Sequence, residues 1–206
     1  MSLPADTKAL VPEGGRTPGR SRADVVEAAG RLFAARGYHG TSMRELGRAL
    51  GLFGSSLYSH ISSKEDLLVE VVARGADLFQ RSAEEALSRP GPGAERLAAL
   101  IEGHIAVVLD HLDEVRTFLY EAGALDGTRR GQVLAARDRY EESFRQVLAE
   151  GAADGSLAAD LDPRLGAIFV LSILNAIERW YRPEGRWGRE DLAARVFAFV
   201  REGIGP

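Results

Sequence analysis

The stretch "RELGRALGLFGSSLYSHISSKEDLL", residues 44–68, carries two short helical rhythms on either side of a glycine. Gly47 is a small residue where a second helix can cross the first. Gly51 is a turn residue tolerant of positive φ, and Leu46, Leu50, Leu52 and Leu57 are apolar groups able to lock the crossing angle. Those are the requirements of a DNA-binding helix-turn-helix. The rest of the second helix shows Gly54, Ser55, Ser56, Tyr58 and Ser59, short or hydrogen-bonding groups that let a helix sit deep in a major groove. Tyr58, His60 and Lys64 lie where a helix end and the following turn reach phosphates. Arg44, near the start of the preceding helix, can fork onto guanine or phosphate. A helical hairpin with no DNA role shares the helix, glycine, helix pattern, but not the joint placement of two glycines and four leucines in a basic segment.

That segment is basic although the chain is not. The net charge is −4, yet residues 16–64 hold eight Lys/Arg against three Asp/Glu, or +5, and residues 65–206 hold 17 against 25, or −8. A basic N-terminal part on an acidic body points to a polyanion bound at one end. With 45% hydrophobic and 27% charged residues the composition is that of a soluble globular protein, and the absence of cysteine excludes disulfides and thiolate metal sites. Residues 1–20, rich in Pro and Gly, read as a disordered tail without a secretory h-region. The longest apolar run, Gly166 to Ile177, is too short to span a bilayer, so a cytoplasmic protein is expected.

Periodicity predicts helices throughout, an all-α chain. Val25, Ala29, Leu32 and Phe33 stripe a first helix ending at Gly37; Ser42 with Glu45 fits a capping box for the second; a third spans about Gly54 to His60. Ser62 or Ser63 caps a long fourth helix, with Leu67, Leu68, Val71, Val72, Gly75, Leu78 and Phe79 facing inward. After the break at 88–95, helices are predicted over about 95–111, 113–124, 128–153, 163–181 and 189–203, with Asp162 and Pro163 opening the fourth of these. Enzyme chemistry finds no support. No histidine has a Glu three residues before it, His104 and His111 are too far apart for one metal, and there is no nucleophile elbow or Walker-type loop. No catalytic residue, metal ligand or cofactor is expected.

Residues 22–69, above all "TSMRELGRALGLFGSSLYSHISSKEDLL" (41–68), resemble the N-terminal domain of the TetR (tetracycline repressor) family of bacterial regulators. The resemblance implies a disordered tail over 1–20, a three-helix DNA-binding domain over 21–66 and a larger ligand-binding and dimerisation domain over 67–206. It implies a homodimer paired through the last two long helices, bound to double-stranded operator DNA as a repressor and released by a small-molecule effector. By matching positions Thr41, Ser42 and Arg44 contact DNA from the second helix, Gly54, Ser55 and Ser56 face bases, and Tyr58, His60 and Lys64 meet the backbone. Phe53 departs from the family pattern, where a serine often caps the recognition helix, and phenylalanine cannot cap.

In the body, the run from Gly166 to Ile177 is apolar on nearly every side, and Leu192, Val196, Phe199 and Val200 stripe the last helix, which suits a dimer interface. Ser172, Asn175 and Arg179 either line a cavity or bond across that interface. His104 falls on the stripe of Leu97, Ile101 and Val108, and Arg137 on that of Val133, Tyr140 and Phe144. A charge on a core stripe needs a partner. Either Glu121, just after Phe118, pairs with Arg137 inside the protein, or His104, Phe118, Arg137, Tyr140, Phe144 and Asn175 line an apolar pocket that orients a ligand head. Segments of the body resemble the TetR branch that controls fatty-acid, steroid and aromatic-acid breakdown, which implies an acyl-coenzyme A effector with a long acyl chain on the apolar stripes. A multidrug-type sensor with a broad pocket is the alternative.

Overall fold

The computed structural model describes residues 21–52, 61–182 and 184–205. The expected tail and the recognition segment with Phe53, Gly54, Ser55, Ser56, Leu57, Tyr58, Ser59 and His60 lie outside them. The described residues form an all-α protein without a strand: α1 (Arg22–Arg36), α2 (Met43–Leu50), α3 (Lys64–Leu87), α4 (Gly93–Asp110), α5 (Leu112–Tyr120), a 3-10 turn (Glu121–Ala124), α6 (Gly127–Asp154), α7 (Pro163–Trp180) and α8 (Arg189–Ile204).

Local chemistry starts and stops these helices. Ser42 accepts a bond from the Glu45 backbone N–H while the Glu45 carboxylate takes the Ser42 N–H at 2.8 Å, a reciprocal cap on α2. Ser21 and Asp24 cap α1 in the same way. Ser63 caps α3 through Asp66, and Asp162 takes the N–H groups of Arg164 and Leu165 ahead of α7, with Pro163 in its first turn. Gly51 ends α2 at φ +67, ψ 23, a left-handed conformation that turns the chain sharply.

α3 is the central strut. It packs against α4, α5 and α6 in the body and against α1 at the N-terminal end. Phe33, Leu46, Leu67 and Leu68 fill the N-terminal core, and Leu97, Leu100, Ile101, Ile105, Phe144 and Leu148 the core of the body, all essentially inaccessible to solvent. Burial of each such side chain contributes about 1.5–3 kcal/mol. α8 lies on α4, which buries Leu192 and Val200 within the chain, Val200 at the edge of an outer hollow. The large apolar groups left outside on the last two helices are Leu165, Ile168, Phe169 and Trp180 of α7 and Phe199 of α8, the last 66% exposed.

The predicted helix over 113–124 is two elements. α5 stops at Tyr120 and tightens into the 3-10 turn, because the Phe118 and Leu119 carbonyls are taken by the Arg137 guanidinium of α6. A cation at a helix C-terminus satisfies orphan carbonyls and favours the helix dipole.

α3 and α5 approach closely at Gly75, where an added Cβ would stand 2.9 Å from Phe118 Cβ and 3.1 Å from the Glu114 carbonyl oxygen. In an open helix Gly→Ala stabilises by about 1 kcal/mol. Here the crowding reverses the sign: Gly75→Ala should lower stability by about 1–3 kcal/mol in urea denaturation. A gain in stability would show that α5 yields freely at this contact.

Candidate nucleic-acid interface and ligand cavity

At the N-terminal end, Ser42 and Arg44 are exposed on the first turn of α2, with Arg48 exposed one turn further on. Neither arginine forms an ion pair among the described residues. Arg48 is absent from the residues expected on the interface; its i, i+4 spacing from Arg44 was the available signal. Thr41 is placed differently from the expectation. Its side chain is 2% exposed and donates to the Gly37 carbonyl at 3.0 Å, so it ties α2 to the end of α1 and has no surface to offer a groove. Lys64 is likewise engaged internally. Its ammonium donates to the carbonyls of Tyr38 at 3.0 Å and Thr41 at 2.9 Å and lies 4.1 Å from the Tyr38 ring centroid. Two of its three N–H donors thus hold the loop before α2, which leaves one for a phosphate.

This loop is also fastened to the body. The Glu121 carboxylate, at the start of the 3-10 turn, accepts the Tyr38 backbone N–H at 2.9 Å, and Thr117 Oγ1 lies 3.4 Å from the Gly30 carbonyl of α1 while donating to Asp113 at 2.9 Å. The internal ion pair between Arg137 and Glu121 is therefore not formed. Each group serves the same short segment from opposite sides, Arg137 capping its carbonyls and Glu121 reaching out to the loop.

A cavity of about 220 Å³ opens among α3, α5, α6 and α7, with His104 of α4 at its wall. It brings together five of the six expected ligand residues: His104, Phe118, Arg137, Tyr140 and Asn175. The sixth, Phe144, is fully buried behind the wall, edge-on to Tyr140 at 5.4 Å between centroids. Ser172 lines the cavity beside Asn175 and donates to its own Ile168 carbonyl at 2.6 Å. Arg179 is exposed on Tyr120 and takes no part. Phe79, Leu119, Glu141, Ile168 and Leu171 complete the lining. Helical periodicity marked Phe79 as inward-facing, but a period cannot tell a packed core from the wall of a void.

The polar groups of this cavity are unusual in their pairing. His104 is 1% exposed, and its Nδ1 lies 3.0 Å from the Tyr140 hydroxyl. Its ring leans on Phe79 at 4.7 Å between centroids. Nε2 of His104 and Nε of Arg137 are buried without a partner among the described residues. Arg137 also lies over the Phe118 ring at 4.9 Å, and burial lowers its pKa. Burial pushes the His104 imidazole down to about 3 and raises the Tyr140 phenol, so both are neutral near pH 7. Glu141, also on the wall, accepts from Arg145 Nε at 3.1 Å, a guanidinium that it shares with Glu142. No group of three or more His, Asp or Glu among the described residues is placed to hold a metal ion, and no helix among them is long and apolar enough to cross a membrane.

An α-helical body with a cavity between its helices, joined to an N-terminal helix pair with an exposed arginine face, is the architecture of a one-component regulator. Residues 25–71 match the bacterial regulatory proteins of the tetR family, and residues 90–204 the tetracyclin repressor-like C-terminal domain. The chain belongs to the TetR family and is a DNA-binding transcriptional regulator. It is similar to the HTH-type transcriptional repressor KstR2 of Rhodococcus jostii (strain RHA1), with 30% identity covering 94% of this chain and 96% of the relative. Among solved structures it resembles the ketosteroid transcriptional regulator KstR2 of Mycobacterium tuberculosis, with a TM-score of 0.85 and 26% identity covering 93% of this chain and 100% of the other. It also resembles AibR in complex with isovaleryl coenzyme A and operator DNA, with a TM-score of 0.79 and 30% identity over 86% of this chain and 96% of the other.

The His104 environment has a pH consequence. Its pKa is lower folded than unfolded, so the stability it permits is complete above about pH 6.5 and is lost as pH falls from there towards about 3. The loss should run at roughly 1.4 kcal/mol per pH unit across that window. Urea denaturation at pH 7 and pH 5 should show His104→Phe losing less stability than the wild type on acidification. Parallel losses in the two proteins would mean that His104 takes up its proton in the folded state.

Proposed function

We propose that the chain is a homodimeric repressor that leaves its operator when an acyl-coenzyme A enters the cavity beneath α5. The observation that carries this reading is the cavity, apolar over most of its wall and supplied with buried hydrogen-bonding groups, set directly behind the segment that holds the loop before α2. AibR, similar over most of the chain, is named with both an acyl-coenzyme A and operator DNA. A multidrug-type pocket is less well supported, since a broad sensor needs more room than about 220 Å³.

Ser42, Arg44 and Arg48 supply the described part of the DNA face, with Lys64 adding one remaining donor. Residues 54–56, 58 and 60 complete it in this reading, and Thr41 supports it from within. Residues 21–66 form the DNA-binding unit and residues 67–206 the effector and dimer unit. The second copy covers the apolar face of α7 and α8, where Leu161, Leu165, Phe169, Ile173, Phe199 and Ile204 border a hollow of about 510 Å³. Apolar area of this kind, left open to water, is the expected core of a homodimer contact. A cytoplasmic location and the absence of enzymatic activity follow from this reading.

The coupling route runs through α5. A ligand that draws Arg137 from the Phe118 and Leu119 carbonyls frees the end of that helix, and Glu121 and Thr117 carry the shift to the Tyr38 loop and α1. Release requires that the ligand bind the shifted arrangement more tightly than the DNA-bound one.

An operator selected from random duplexes should bind with affinity that falls steeply as salt rises. Arg44→Ala should weaken that binding by about 1–3 kcal/mol if the guanidinium forks onto a base. Unchanged affinity would take Arg44 out of the interface. For the coupling, ligand effects on operator affinity run to about 5- to 150-fold in such systems. Glu121→Ala should shrink that ratio several-fold while the DNA-free protein binds the ligand as before, measured by fluorescence anisotropy of the operator with and without isovaleryl-coenzyme A. A ratio equal to that of the wild type would sink the Glu121 route.

A further inference from the structure

The buried polar groups of the cavity select the ligand's chemistry. His104 and Tyr140 are both neutral and carry two mobile protons between them, one on the ring and one on the hydroxyl. Their mutual bond at 3.0 Å uses one. If the tyrosine donates to Nδ1, the remaining proton sits on Nε2, which has no partner; if Nδ1–H donates to the tyrosine, the free donor is the phenol O–H. Either tautomer leaves one buried donor. Arg137 adds a second, since its Nη2 is held by the Phe118 and Leu119 carbonyls while its Nε–H is unpartnered. An unsatisfied buried donor costs about 1–3 kcal/mol, so an acceptor that meets both removes a standing penalty.

A carbonyl oxygen, with two lone pairs, meets two donors at once. A carboxylate fits less well. It calls for two parallel N–H groups of one guanidinium, and both such pairs of Arg137 include Nη2, whose protons the Phe118 and Leu119 carbonyls hold; the imidazole, kept neutral, provides no second cation. Volume sets the other limit. At about 30 Å³ for each water-sized group, 220 Å³ holds roughly seven of them. A short or branched acyl group with its carbonyl fills that space, whereas a long acyl chain or a steroid ring system exceeds it.

We propose that the cavity binds the short acyl group of a thioester, its carbonyl oxygen accepting hydrogen bonds from the His104–Tyr140 pair and from Arg137 Nε, with the rest of the coenzyme outside. The acyl carbons lie against Phe79, Phe118, Leu119 and Leu171, and the thioester carbonyl, between them and the sulfur that leads out, turns its oxygen to the polar groups. This inference rests on the acyl-coenzyme A reading above and adds to it the size of the acyl group and the atoms that recognise it.

The test is calorimetric titration of the full-length, DNA-free protein with isovaleryl-coenzyme A, palmitoyl-coenzyme A, free isovalerate, and the thioether analogue in which a methylene replaces the carbonyl. Isovaleryl-coenzyme A should bind tightest, with the thioether about tenfold weaker. The double variant His104→Phe, Tyr140→Phe should lose most of that preference, while Tyr140→Phe alone, which leaves the imidazole N–H free to turn to the ligand, should keep it. Should the double variant not fold, the wild type still decides: the isotope-edited infrared carbonyl band of the bound thioester should lie below its position in an apolar solvent. Equal binding of thioester and thioether, an unshifted band, or tighter binding of isovalerate or palmitoyl-coenzyme A would each overturn this inference and leave the acyl-coenzyme A reading standing. Failure of every thioester to bind would overturn both.

Discussion

The hold of Arg137 on the last carbonyls of α5 is the contact around which the other parts arrange themselves. A helix end beside an apolar cavity cannot leave its carbonyls bare. The guanidinium supplies donors and a favourable charge at the negative end of the helix dipole, and α5 can therefore stop at Tyr120 and tighten into the 3-10 turn. That stop places Glu121 where it meets the Tyr38 N–H and leaves Thr117 against α1. The N-terminal helices are thus hung from the body by a few polar contacts and by the packing of α1 on α5 and α3.

The two candidate surfaces use opposite electrostatics. On α2 the arginines are exposed and unpaired among the described residues, the state in which positive charge works at long range and displaces counterions from a duplex. In the cavity, charge is held close: His104 and Tyr140 are kept neutral by burial, Glu141 is bonded to Arg145, and Arg137 is tied to carbonyls. What remains there is hydrogen-bond donation in an apolar setting, which discriminates by the presence of an acceptor atom more than by charge.

Much of the fold was legible in the residues because its signals are local. The 3.6-residue stripes, the reciprocal Ser42–Glu45 cap, Asp162 before Pro163 and the turn at Gly51 each act within a few residues, and each recurs in the structure. The break of α5 at Tyr120 was not legible. Nothing between 113 and 124 forbids a continuous helix; the break is imposed by Arg137, some eighteen residues further along the chain. Thr41 and Lys64 show the same limit. A threonine before a capping serine and a lysine at a helix start look like surface groups until the α1–α2 loop folds beneath them.

The sequence by itself determined an all-helical chain and which side chains stand on inward stripes, since helix period and capping need no tertiary information, and its stretch 41–68 carried the resemblance to TetR regulators. It also marked five of the residues that line the cavity, because His104 and Arg137 are polar where the stripe calls for apolar groups. Only the tertiary structure decided how those residues act. Whether Arg137 meets Glu121 or two carbonyls, whether His104 finds Tyr140, and whether a stripe closes into core or stands around a void depend on distances between helices far apart in the chain. Those distances come from the summed packing of many side chains, which no local pattern encodes.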